Sequence, residues 1–218
     1  MNVILEGITG SRAYGLDTET SDTDIKGVYV APTSEVLGLF PPAETIDRTN
    51  PDVTYHEIHK FIRLALKGNP TILEMLYLEG YTQLTKHARM LVDNRHKFLS
   101  NVIYRSYGGY AISQARKLNA RQDSFSSATK NRYAKHARHC FRLLQQGREL
   151  LETGSLTVRV KNRDELFAIG ELEPSALVDK FEQEFAEFDR ITSILPDKPD
   201  YEAINGILLE IRKGNWDA

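Results

Sequence analysis

Residues 2–9 (NVILEGIT) form an apolar run rich in β-branched side chains and closed by Gly10-Ser11, which predicts a buried strand. A short helical turn is expected over 12–16, and the polar stretch 18–23 reads as a turn. Residues 24–30 (DIKGVYV) alternate polar and apolar side chains, predicting a second strand stopped by Pro32. A single helical turn is expected at 34–39. Pro41-Pro42 then breaks the chain, and a hairpin over 45–48 and 53–56 turns at Asn50-Pro51. From about residue 55 the period changes. Ile58, Phe61, Ile62, Ala65 and Leu66 share one helical face, with Gly68 as C-cap, and Asn69-Pro70-Thr71 opens another helix. Beyond it, longer helices are expected near 86–98, 101–119, 127–152, 175–194 and 201–212. Ser126 or Ser127 caps the third of these and Gly154 ends it, and only 156–160 reads as strand. The pattern predicts an α+β protein: a small mixed β-sheet core over 1–58, then an α-helical domain over 59–218.

Composition narrows the class. The chain has 218 residues, 41% hydrophobic and 27% charged, with no apolar run of membrane-spanning length. Cys140 is the single cysteine, so neither an internal disulfide nor a cysteine-based zinc site can form, and a cytoplasmic location is expected. The net charge of −2 hides a segregation: residues 101–148 hold ten Lys/Arg against one Asp/Glu, whereas 1–60 hold four against ten. A basic middle favours phosphate-bearing partners, although a solvated helix surface would look the same.

The chemistry-bearing segment is GSRAYG at 10–15 followed by SDTD at 21–24. In an extended chain, Asp22 and Asp24 point to one face, where their mutual repulsion becomes binding once a divalent cation lies between them. Magnesium takes oxygen ligands and keeps room for water and substrate phosphate. Gly10 lets the backbone approach a ligand, and the Ser11 hydroxyl and the amides of the turn, including Arg12, suit a phosphate. Gly-Ser alone, or Asp-X-Asp alone, says little. The combination of apolar strand, Gly-Ser, Asp-X-Asp and second apolar strand resembles the DNA polymerase β nucleotidyltransferase superfamily. With DVTYHEIHKF at 52–61, NPTILEML at 69–76 and KHARHCFRLL at 135–144, it looks like the bacterial and phage members linked to RNA repair.

That resemblance implies a nucleotidyltransferase core, two Mg2+ ions (with Mn2+ able to substitute), an NTP substrate and a third carboxylate on a later strand. Asp52 matches the third carboxylate best, with Asp47 and Glu57 behind it, and Lys26 stands where many relatives carry arginine. Lys135, Arg138, His139 and Arg142 fall at i, i+3, i+4 and i+7 on one helical face, with Ala137, Cys140, Phe141 and Leu144 largely opposite. The resemblance turns this basic stripe toward the nucleotide; Lys60 and Arg63 lie on the polar side of the helix after Asp52, where phosphate contact and plain surface placement both stay open. Tyr104, Tyr107 and Tyr110 suit core packing better than base stacking, and the remaining histidines lack metal-ligand spacing. Three functions stay open: transfer of a nucleoside monophosphate to a hydroxyl such as that of RNA, nucleotidylation of a protein hydroxyl, or a nucleotide- or RNA-binding module without turnover. The acceptor, the base of the NTP and the oligomeric state are not legible.

Overall fold

The computed structural model describes residues 1–49, 51–119 and 127–216, with the side chains of 117–119 and 127–130 left aside. It is an α+β protein with a five-stranded mixed sheet. The strands are β1 (Asn2–Thr9), β2 (Asp24–Val30), β3 (Thr45–Thr49), β4 (Asp52–Glu57) and β5 (Gln83–Leu84), in the order β3-β4-β2-β1-β5. β1 runs antiparallel to β2 and β5, β3 and β4 form the expected hairpin, and β2 and β4 are parallel. The helices are α1 (Gly10–Tyr14), α2 (Thr33–Val36), α3 (Ile58–Leu66), α4 (Pro70–Glu74), α5 (Lys86–Asp93), α6 (Val102–Asn119), α7 (Ser127–Thr153), α8 (Arg163–Gly170), α9 (Pro174–Asp189) and α10 (Tyr201–Lys213). Among the described residues, no helix is long and apolar enough to cross a membrane.

Two compact units divide the chain: 1–100 with 198–218, and 101–197. This differs from the boundary expected at residue 58. The reason is burial. The α3 stripe of Ile58, Phe61, Ile62 and Ala65 is buried, and α3 packs on β2 and β4, while Leu5 and Val28 are fully covered. Helix α3 therefore belongs with the sheet. The other sheet face carries Tyr29, Ala31, Val53 and Tyr55, packed with Val3, Ile25, Val36 and Ile46.

α10 is tied to the sheet by charge. Arg212 donates to Glu57 at 2.8 and 2.9 Å and to the Ala31 carbonyl at 3.2 Å, while Thr33 Oγ1 donates to the Arg212 carbonyl at 2.8 Å. Glu57 also accepts from the His59 amide at 2.8 Å, capping α3. Both ionic partners are buried. Glu57, a weaker candidate for the third carboxylate, is thus held in this structural network.

In the second unit, α7 is flanked by α6, α8 and α9. Tyr107, Cys140, Phe141 and Phe188 are buried; Tyr104 is half-buried and stacks on Phe188 with centroids 5.5 Å apart, whereas Tyr110 is exposed, so of the three tyrosines only Tyr107 is a core residue. Burial pushes the Cys140 thiol up to about 12, so it stays protonated and inert. The 156–160 segment is not a strand, although its alternation suggested one. Its backbone is satisfied by side chains instead. Glu149 accepts from the Thr157 amide at 2.8 Å, and Gln146 donates to the Thr157 and Val158 carbonyls at 3.0 and 3.4 Å. Helix α8 was not among the expected helices. Ser126 and Asn50, named above as cap and turn residues, lie outside the described residues.

Removing one partner of a buried ion pair strands the other charge. Arg212→Ala should lower the unfolding free energy by about 3–5 kcal/mol in urea titration; a loss below about 1 kcal/mol would show that Glu57 is satisfied without it.

Candidate active site

All of the carboxylate candidates lie in the first unit. β1 ends at Thr9, paired with Asp24, and the chain turns at once into α1. Gly10 makes that turn with φ +66°, a left-handed conformation that favours glycine. A Cβ placed on Gly10 would lie 2.1 Å from Asp24 Oδ2, so the Asp24 carboxylate packs directly on the Gly10 backbone. Thr9 is buried and donates through Oγ1 to the Asp24 carbonyl at 3.3 Å. α1 is anchored at its far end, where the Tyr14 hydroxyl donates to the buried Glu74 at 2.6 Å. Ser11, the second residue of α1, is half-buried.

Asp22 lies in the turn before β2 and Asp24 opens the strand, so the two aspartates do not share it. β1 has no residue left to pair beyond Thr9. The backbone of the preceding loop is used by Arg12, which donates to the Ser21 carbonyl at 2.9 Å and the Asp22 carbonyl at 3.3 Å. Arg12, expected on phosphate, thus clamps the acidic loop to α1. Asp22 is exposed and Asp24 half-buried.

Asp52 opens β4 as Asp24 opens β2. The parallel register pairs Ile25 with Val53, so the two aspartates stand one residue earlier on neighbouring strands and share a sheet face. Adjacent strands lie about 4.8 Å apart, within reach of a common ligand. Asp47 occupies the hairpin partner strand and accepts from Thr54 Oγ1 at 2.8 Å. Behind the aspartates, the same face carries Lys26, Thr54 and His56. Lys60 Nζ donates to Thr45 Oγ1 at 2.6 Å, and Thr45 Oγ1 lies 3.0 Å from His56 Nδ1. Burial is the main cause pushing the His56 imidazole down, followed by Lys60 and Lys26, with Asp47 opposing. His56 has no metal-ligand spacing in the sequence; its neighbours Thr45 and Lys60 reach it only through the β3–β4 pairing and α3. Arg63 is held by Glu44 in a bidentate pair at 3.0 and 3.1 Å.

The basic stripe of α7 is in the second unit and is divided. Lys135 is exposed. Arg138 lies over the Phe167 ring at 4.5 Å, and the same ring takes Arg163 at 4.6 Å. Arg142 is buried, donating to Gln146 and lying 3.0 Å from His139 Nδ1. The four residues therefore do not form one solvent-facing stripe. From Cys140 to Leu144 every residue of α7 is buried, so its polar side chains must be satisfied inside the unit.

Asp22, Asp24 and Asp52 offer oxygen donors only. Among the described residues, no group of three or more His, Cys, Asp or Glu side chains is placed to hold a metal ion, so Asp22, Asp24 and Asp52 do not form a ready-made three-carboxylate site. An open set of carboxylates fits magnesium, which commonly takes one or two carboxylates together with water and substrate phosphate.

Comparison with known proteins decides the lineage. The sequence profile of the RNA repair pathway DNA polymerase beta family matches residues 1–210. The chain belongs to that family. It is also similar to an uncharacterised 38.9 kDa protein of the nrdC-mobD intergenic region of Enterobacteria phage T4, 30% identical over 131 residues. That match takes in 54% of this chain and 39% of the phage protein, so it spans about two fifths of that relative. Among solved structures, a nucleotidyltransferase-like protein from Exiguobacterium sibiricum shares 10% identity at a TM-score of 0.35, over 98% of this chain and 74% of that one.

Gly10→Ala introduces both left-handed strain and a clash with Asp24, whereas Gly154→Ala (φ +67°, nearest contact 3.8 Å at Leu195) introduces strain alone. Gly154→Ala should cost about 1–2 kcal/mol, and Gly10→Ala clearly more. Equal losses in denaturant titration would mean that Asp24 does not press on Gly10.

Proposed function

We propose that this protein transfers a nucleoside monophosphate from an NTP to a hydroxyl acceptor, releasing pyrophosphate. The observation that carries the reading is the meeting of Gly10, Asp24 and Asp52 at one end of three adjacent strands, within a chain of this family. Asp22 and Asp24 are the residues that would hold Mg2+, or Mn2+ in its place, with Asp52 completing the set. The bound metal supplies positive charge against the phosphates and lowers the barrier to in-line displacement.

The chain's own residues do the rest. Ser11 donates its hydroxyl to a phosphate oxygen beside the Gly10 bend. Arg12 keeps the loop carrying Asp22 folded back on α1. Asp52 orients the acceptor hydroxyl and takes its proton as the new O–P bond forms at the α-phosphorus. The α–β phosphoanhydride bond breaks, and pyrophosphate leaves with its electron pair. Positioning and electrostatics account for the chemistry, so the carboxylates matter more than any single hydrogen bond. These steps use residues of the first unit alone.

Incubation with α-labelled NTP, magnesium and an RNA pool should move label to the acceptor. Asp22→Ala with Asp24→Ala should abolish it while circular dichroism and melting stay native-like. Full activity in that double variant would refute the assignment, and tight NTP binding without pyrophosphate release from the wild type would make the protein a binding module.

A further inference from the structure

The strand order separates two sides of the candidate centre. Asp24 is flanked by β1 on one side and β4 on the other. Gly10 and Ser11, which suit the polyphosphate, lie at the β1 side. Asp52, which suits the acceptor hydroxyl, lies at the β4 side. A basic group over β4 or β3 therefore faces the acceptor, and one on β2 itself, such as Lys26 between Gly7 of β1 and Thr54 of β4, borders both sides.

Such a group exists. On the face shared by Asp24 and Asp52, the next row across the sheet holds Lys26 paired with Thr54, and Thr54 paired with Asp47. The row after it holds Val28, His56 and Thr45. Lys60, from the first turns of α3, reaches this row through Thr45. Lys26, His56 and Lys60 are each half-buried. The fields of both lysines reach the His56 ring. Among the described residues, neither lysine is in an ion pair; Asp47 is the nearby carboxylate that offsets them, and Glu44 is taken up by Arg63. Two ammonium groups held near one imidazole repel, and an anion among them reverses that cost. The ring can donate to an anion, as can both ammonium groups. Two lysines and a histidine suit a phosphate held as a point charge.

We propose that Lys26, His56 and Lys60 form a phosphate subsite for the acceptor, so that the hydroxyl used in transfer belongs to a phosphodiester strand. The proposal rests on the nucleotidyl-transfer reading for its orientation. It makes the acceptor a nucleic-acid end, not a protein side chain or an unphosphorylated small molecule. The phosphate next to the acceptor hydroxyl anchors at the lysines and leaves the hydroxyl at Asp52.

The test has a binding arm and a turnover arm on the full chain. In the first, a labelled single-stranded RNA of roughly ten nucleotides is titrated by anisotropy without NTP, so the result stands whether or not transfer occurs. Lys26→Ala with Lys60→Ala should weaken binding by about tenfold. It should also flatten the salt dependence by about 0.7, the slope of one single-strand phosphate. Lys26→Arg with Lys60→Arg should restore both, and native-like melting shows that the fold is kept. In the second arm, the alanine pair should raise KM for the RNA acceptor while KM for NTP stays within about twofold. Unchanged RNA affinity in the alanine pair would overturn the subsite. A rise in the KM for NTP alone would overturn it too, by assigning the lysines to the triphosphate. A wild type that binds RNA through the lysines but transfers nothing would retain the subsite and refute only the catalytic reading.

Discussion

The contact between the Gly10 backbone and the Asp24 carboxylate governs the site. A left-handed residue at the end of β1 sends the chain into α1 without a linker, and only glycine leaves space for the carboxylate against it. Ser11 follows that bend as the second residue of α1. Everything proposed for the phosphates depends on this close approach, which any side chain at position 10 would prevent.

The second constraint is the parallel pairing of β2 and β4. Parallel neighbours start at the same end, so two aspartates at strand openings come together without being close in sequence. The Glu57–Arg212 pair fixes the opposite end of β4 and joins α10 to it. A carboxylate that looked like a catalytic alternative therefore serves the scaffold, and the strand openings are left to the chemistry. The division between a β1 side and a β4 side follows from the same topology.

Much of the first unit was legible in the sequence because each element has a local cause. Strand alternation, the Gly-Ser bend and the Asn69-Pro70 cap all act within a few residues. The parallel register is a long-range fact, and so Asp52 was reached through family resemblance, not through its spacing. Arg142 was misplaced because a helical wheel shows which residues share a side but not how many helices surround it. With α6, α8 and α9 around α7, a polar residue can be enclosed, and Arg142 donates to Gln146 on its own helix. Residues 156–160 misled for a related reason: Gln146 and Glu149 supply the backbone partners that a neighbouring strand would otherwise supply. Arg12 carries a charge that suits phosphate, yet the loop carbonyls it holds could be seen only once the chain was folded.

The most direct measurement is Mn2+ binding followed by electron paramagnetic resonance with a non-hydrolysable NTP analogue. The account predicts a bound signal in the wild type and in Asp47→Asn, and its loss in Asp24→Asn. A bound signal undiminished in Asp24→Asn would contradict the claim that the carboxylate against Gly10 holds the metal.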